Sequence, residues 1–101
     1  CFVTCGDPDA KYYLEDCCAA TMNMITCLQA YGVGSCWVAG DKKEYSPKIC
    51  ELLEIPPPYV LVSLIAAGYP KEVQIPKKKL GKEIFFYNRW SPEEHSKSNE
   101  G

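Results

Sequence analysis

A chain of 101 residues with an apolar share of 47%, seven glycines and eight prolines has the make-up of one ordinary globular domain, which excludes a disordered tail or a collagen-like rod. Eleven basic against thirteen acidic side chains give a net charge of −2, so the molecule as a whole has no positive field with which to gather nucleic acid. The longest apolar stretch, Tyr59 to Tyr69, falls well short of the roughly 20 residues a membrane-spanning helix needs, and no bilayer crossing is expected.

Phe2 to Thr4 is a short apolar run stopped by Gly6-Asp7-Pro8, the pattern of a strand entering a turn. With Asp7 as cap and Pro8 at the first helical position, a helix is predicted from near Asp9. It continues through Leu14, Cys17, Cys18, Met22, Ile25 and Leu28 to Tyr31, where Gly32 is a natural stop. So many of its sides are apolar that the pattern predicts a central helix buried almost all round. Val33 to Gly40 is small, apolar and punctuated by glycine, the composition of a short strand whose backbone is closely approached. Ser46-Pro47 then opens a second helix as cap and first position, with Ile49, Cys50, Leu52 and Leu53 as its apolar face. Pro56-Pro57-Pro58 ends it. The continuous apolar run of Tyr59 to Tyr69 predicts a strand covered on both faces. Glu83 to Trp90 reads as an aromatic extended arm, and residues 91–101 as a polar, frayed tail. Strand, helix, strand, helix, strand, arm is the order of helices packed on a sheet, either α/β or α+β.

Seven cysteines, at 1, 5, 17, 18, 27, 36 and 50, include no CxxC pair, and the single histidine, His95, lies in the polar tail. Neither a zinc site nor an iron–sulfur cluster has its ligand spacing. Cys17, Cys18 and Cys27 fall inside the helical pattern, where free cysteine acts as a small core hydrophobe. A reducing, cytoplasmic setting is the matching expectation. Cys1 in place of an initiator methionine is read as the start of a fragment or of a truncated relative.

Charge is unevenly spread. Residues 1–70 carry four lysines against eight acids, whereas 71–82 hold five lysines and one glutamate. That cluster is either a seat for an anion or a solvated basic loop. Side chains suited to acid–base catalysis are scarce, since no histidine accompanies an apolar segment and no Ser/His/Asp arrangement occurs. A glycine-bounded backbone segment, a basic loop and abundant aromatic surface are instead the parts of a cofactor site, where the protein supplies position and electrostatics.

Four segments, AATMNMITCLQAYGVGSCWVAG, ICELLEIP, VLVSLIAAGYP and FFYNRW, stand in an order and spacing that resembles the C-terminal half of the nitroreductase family, the FMN-dependent NAD(P)H oxidoreductases. The resemblance covers residues 1–90. It implies an incomplete α+β domain of three-layer α/β/α type, with the central helix on a mixed sheet and a C-terminal extended arm. It further implies that the backbone of Val38, Ala39 and Gly40 lies against the isoalloxazine ring of FMN with an amide N–H directed at N5. Lys77 and Lys79, with Lys78 as a substitute for either, are implied as partners of the FMN phosphate. NAD(P)H would be the co-substrate, and a nitroaromatic, quinone or similar small molecule the acceptor. The aromatic arm would wrap a second subunit in a homodimer with flavin at the interface. No side chain is assigned as acid or base. The sequence departs from the family at Met22, where glutamine is frequent, at Ala39, where glycine or glutamate is common, and at Lys78-Lys79, which replaces a frequent lysine-proline. The family's arginine- and serine-containing N-terminal motif is not in this chain, so the competing expectation is a non-catalytic association module that binds no flavin.

Overall fold

A computed structural model of the chain describes residues 1–72 and 84–90. Five elements follow one another: β1 (Phe2–Gly6), α1 (Tyr13–Ala30), β2 (Gly34–Ala39), α2 (Ser46–Leu52) and β3 (Val60–Gly68). The last strand inserts between the other two, giving the order β1-β3-β2 with β3 antiparallel to both neighbours. β1 and β2 therefore run parallel to each other without touching, joined by the α1 crossover. This corrects the expected mixed sheet: among the described residues every pairing is antiparallel, because the parallel pair is split by β3. Helices and an antiparallel sheet make an α+β arrangement, with α1 packed against all three strands and α2 against β3.

β3 earns its central position through its sequence. Leu61, Val62 and Ile65 are its buried apolar side chains, and they form the core of the described residues. Its pairing with β1 slips between Thr4 and Cys5, since Thr4 faces Ser63 while Cys5 faces Leu61, leaving Val62 as the extra residue of a bulge.

Three hydroxyls are buried where β1, α1 and β3 meet. The Thr21 hydroxyl lies 2.6 Å from the Cys17 carbonyl, to which it can only donate. Each hydroxyl has one proton, so Ser63 must donate to Thr21 across 2.7 Å, and Thr4 to Ser63 across another 2.7 Å. The chain of donors Thr4, Ser63, Thr21 thus ends on a backbone oxygen with every proton used, which is the condition for burying such groups without penalty.

Both helices end in the same way. At α1, the Val33 N–H reaches the Leu28 carbonyl and the Gly32 N–H that of Gln29, each at 2.9 Å, with Gly32 at φ +75°. At α2, the Ile55 N–H reaches the Cys50 carbonyl at 2.9 Å and the Glu54 N–H that of Glu51 at 3.2 Å. These are two Schellman caps. The second places a glutamate at φ +57°, a left-handed conformation that glycine adopts without steric cost. It closes α2 before the prolines that the sequence marks as its terminator.

Three sequence expectations are corrected here. α1 starts at Tyr13, not near Asp9, because the Asp7 carboxylate accepts the Asp9 N–H at 3.0 Å and the Asp7 carbonyl accepts the Ala10 N–H at 2.9 Å, forming a turn that delays the helix. The same helix is not buried all round: Thr21 is its one buried residue and Met22 is 52% exposed, since the described strands cover a single side of it. The arm, described by itself, is bent, not extended. Its Arg89 N–H meets the Tyr87 carbonyl at 2.7 Å, Asn88 adopts φ +67°, and the Phe86 and Trp90 rings lie 4.5 Å apart at 39°.

All seven cysteines are free thiols. Cys17 and Cys18 are half-buried as expected of small hydrophobes, while Cys27 is exposed. Burial, and secondarily the neighbouring Cys50 and Cys17 thiols, push Cys5 above the usual thiol range. Burial does the same to Cys17, aided by Asp16 and Cys18. Both are therefore poor nucleophiles near neutral pH.

Two substitutions test these features. Thr21→Val keeps the shape but strands the Ser63 proton, and should lower unfolding free energy by about 1–3 kcal/mol in urea; a loss below about 0.5 kcal/mol would contradict the donor chain. Glu54→Gly relieves the left-handed residue and should raise stability by up to about 1 kcal/mol, whereas destabilisation would show that the cap geometry is misread.

Candidate functional site

Val38 and Ala39 close β2, and Gly40 follows at once. β2 is an edge strand of the described sheet, so only one of its sides is paired. The Gly40 N–H donates to the Val62 carbonyl at 2.9 Å, which makes Gly40 and Val62 a hydrogen-bonded pair of the antiparallel ladder. Alternation then gives Val38 the same role opposite Leu64, and turns the N–H and carbonyl of Ala39, opposite Ser63, away from β3.

The remaining polar groups of this corner are held by residues that precede or open α2. The Tyr45 hydroxyl donates to the Ala39 carbonyl, and the buried Ser46 hydroxyl donates to the Gly40 carbonyl. The Gly40 carbonyl also accepts the Lys43 N–H at 3.4 Å, closing a tight turn in which Lys42 takes φ +57°. From α1, the Tyr13 hydroxyl donates to the Asp41 carboxylate at 3.2 Å. Partial burial and that carboxylate push the Tyr13 phenol above its ordinary range. Ala39 and Gly40 thus have three of their four backbone polar groups engaged. The fourth, the Ala39 N–H, points off the open sheet edge.

Gly40 itself has a packing reason to be glycine. A Cβ built there would lie 2.7 and 2.9 Å from Leu61 side-chain carbons, closer than real Cβ atoms come without something shifting, and a tight 3.2 Å from the Val62 backbone. Its smallness is demanded by β3. At this corner a cleft of about 550 Å³ is lined by Gly40, Asp41, Ser46, Cys50, Ile55 and Leu61 among others.

Of the residues singled out from sequence, the structure therefore brings Val38, Ala39 and Gly40 together at one strand end and distinguishes Ala39 as the one whose N–H has no partner among the described residues. Lys77 and Lys79 lie outside the described residues. Tyr45 and the Tyr13–Asp41 pair escaped sequence reasoning, since nothing in their spacing marks a carbonyl or carboxylate partner. Ser46 was visible as a helix opener, but its hydroxyl serves Gly40, and neither it nor Tyr45 caps α2 through its side chain. Among the described residues no group of three or more His, Cys, Asp or Glu could hold a metal ion, and no helix is long and apolar enough to cross a membrane.

Comparison with known proteins gives a consistent family. The nitroreductase family profile matches residues 5–69. A protein of Archaeoglobus fulgidus named "Putative NADH dehydrogenase/NAD(P)H nitroreductase" is 37% identical over 76 residues, covering 69% of this chain and 44% of its own length. Crystal structures of proteins with that same name from Bacteroides thetaiotaomicron and Parabacteroides distasonis share 27% and 26% identity, each with a TM-score of 0.76 over 87% of this chain and 54% of theirs. An FMN-dependent nitroreductase of Clostridium difficile has the same fold, with a TM-score of 0.78 at 23% identity. The chain spans about half the length of these relatives, at 44% to 56%. With the profile matched over most of its length and its fold shared with these solved structures, the chain belongs to the nitroreductase family.

Proposed function

We propose that this chain carries part of the flavin site of an FMN-dependent NAD(P)H oxidoreductase, working in the cytoplasm. The observation that supports the reading is the Ala39 N–H, which points off the open edge of the described sheet beside three engaged backbone groups, at the strand end where the family resemblance implies the flavin contact. When bound, FMN supplies two-electron chemistry, accepting hydride from NAD(P)H at N5 and passing it to a nitroaromatic, quinone or similar acceptor. Ala39, flanked by Val38 and Gly40, presents its amide with only a methyl group beside it, so a flat ring can approach the main chain. A donor that needs no reorganisation stabilises charge developing on an acceptor in front of it. Lys77 and Lys79 are assigned to the phosphate, whose charge requires ammonium partners wherever water is excluded. Homodimerisation fits the same reading, because α1 leaves apolar side chains such as Met22 open.

Titrating the 101-residue chain with FMN tests this. Quenched flavin fluorescence and a rise in melting temperature are expected, the stabilisation reaching about 2.7 kcal/mol at free FMN 100-fold above Kd. Lys77→Ala and Lys79→Ala should each weaken FMN binding about tenfold or more, as for a lost charge-assisted contact of about 1.5–3 kcal/mol, and leave riboflavin binding unchanged. Equal FMN affinity in both variants would reject the phosphate assignment. A chain that binds neither FMN nor riboflavin would instead be the association module.

A further inference from the structure

We propose that Tyr45 and Ser46 are positioning residues for the main chain at Ala39 and Gly40, a clamp at the start of α2 that holds the two peptide planes following the flavin-facing amide. The proposal rests on the flavin reading above and names residues that reading does not use. Two consecutive side chains deliver their hydroxyls to two consecutive carbonyls, Tyr45 to Ala39 and Ser46 to Gly40. In an extended strand the N–H and carbonyl of one residue project to the same side, so the Tyr45 hydroxyl grips Ala39 on the very edge from which its N–H points. Ser46 holds the next carbonyl, which the Lys43 N–H also approaches. With the Gly40 N–H tied to Val62, rotation of either peptide plane flanking Gly40 must break a hydrogen bond.

Strand pairing holds the Ala39 N–H through the Val38 carbonyl opposite Leu64, holds the Gly40 N–H through Val62, and ends there. Among the described residues β2 has a partner on one side only, and the turn after it contains the left-handed Lys42. Beyond that point the carbonyls of Ala39 and Gly40 are held by side chains, and a shift of this corner would move the main-chain surface beside the amide. Ser46 also lies within the first turn of α2, with Pro47 locking the following φ, so its hydroxyl is presented from a rigid element. The 7% exposure of Ser46 shields its bond from water, whereas the Tyr45 bond lies at the surface.

The test compares Tyr45→Phe, Ser46→Ala and the double variant with the unaltered chain. In the flavin-free chain, the Ala39 and Gly40 carbonyl carbon resonances should move upfield in the respective variants; unmoved resonances would overturn the clamp without reference to any flavin. With FMN added, the double variant should bind about tenfold more weakly and show a displaced visible flavin band, and Ser46→Thr, which keeps the hydroxyl, should restore the Ser46 contribution. Gly32→Ala, remote at the α1 cap, should lower the melting temperature while leaving affinity and band unchanged. Wild-type affinity and an unaltered band in the double variant would overturn the proposal while the flavin reading stands. Failure of the unaltered chain to bind FMN would overturn the flavin reading, and the clamp's purpose with it.

Discussion

One backbone hydrogen bond, from the Gly40 N–H to the Val62 carbonyl, sets the phase of everything at the end of β2. A ladder shifted by one residue would turn the Gly40 amide outward and hide that of Ala39 against β3. Because Val62 is also the extra residue of the bulge facing β1, the two ladders of β3 are set against each other at this point. The direction of a single amide at the open edge is thus a consequence of how the middle strand is shared between its neighbours.

β3 can play that part because its interior half is held from several directions. Leu61, Val62 and Ile65 supply the buried apolar area, Ser63 links the strand to β1 and α1 through hydroxyls, and α2 packs against it. Leu61 meets Gly40 so closely that no side chain could intervene. Stability and site geometry are therefore not separable here: the residues that bury the strand are those that place the corner. The C-terminal end of the strand, from Ala66 to Gly68, is exposed.

How much of this was legible beforehand follows from which forces are local. The existence and type of all five elements could be read from apolar runs, glycine and proline, and β3 matched its continuous apolar stretch almost residue for residue. The start of α1 was misread because Asp7 can cap a helix or close a turn, and the sequence does not say which hydrogen bond wins. The antiparallel character of the sheet was hidden because chain order does not reveal that β3 returns between β1 and β2. Apolar residues on many sides of α1 reported its composition correctly but not what covers it, and the described strands cover one side. At the candidate site, small residues at 38–40 marked the place. Only ladder phase, which no single-chain pattern encodes, distinguishes Ala39 from Val38 and Gly40. The carbonyl partners of Tyr45 and Ser46 were equally invisible, being contacts between a turn and the helix beyond it.

The most direct test follows individual amides in a ¹⁵N-labelled chain during addition of FMN. If Ala39 offers the donor, its amide resonance moves saturably and further than those of Val38 and Gly40, whose protons stay committed to β3. A larger displacement at Gly40 than at Ala39, or saturable FMN binding that leaves the Ala39 amide in place, would contradict the account.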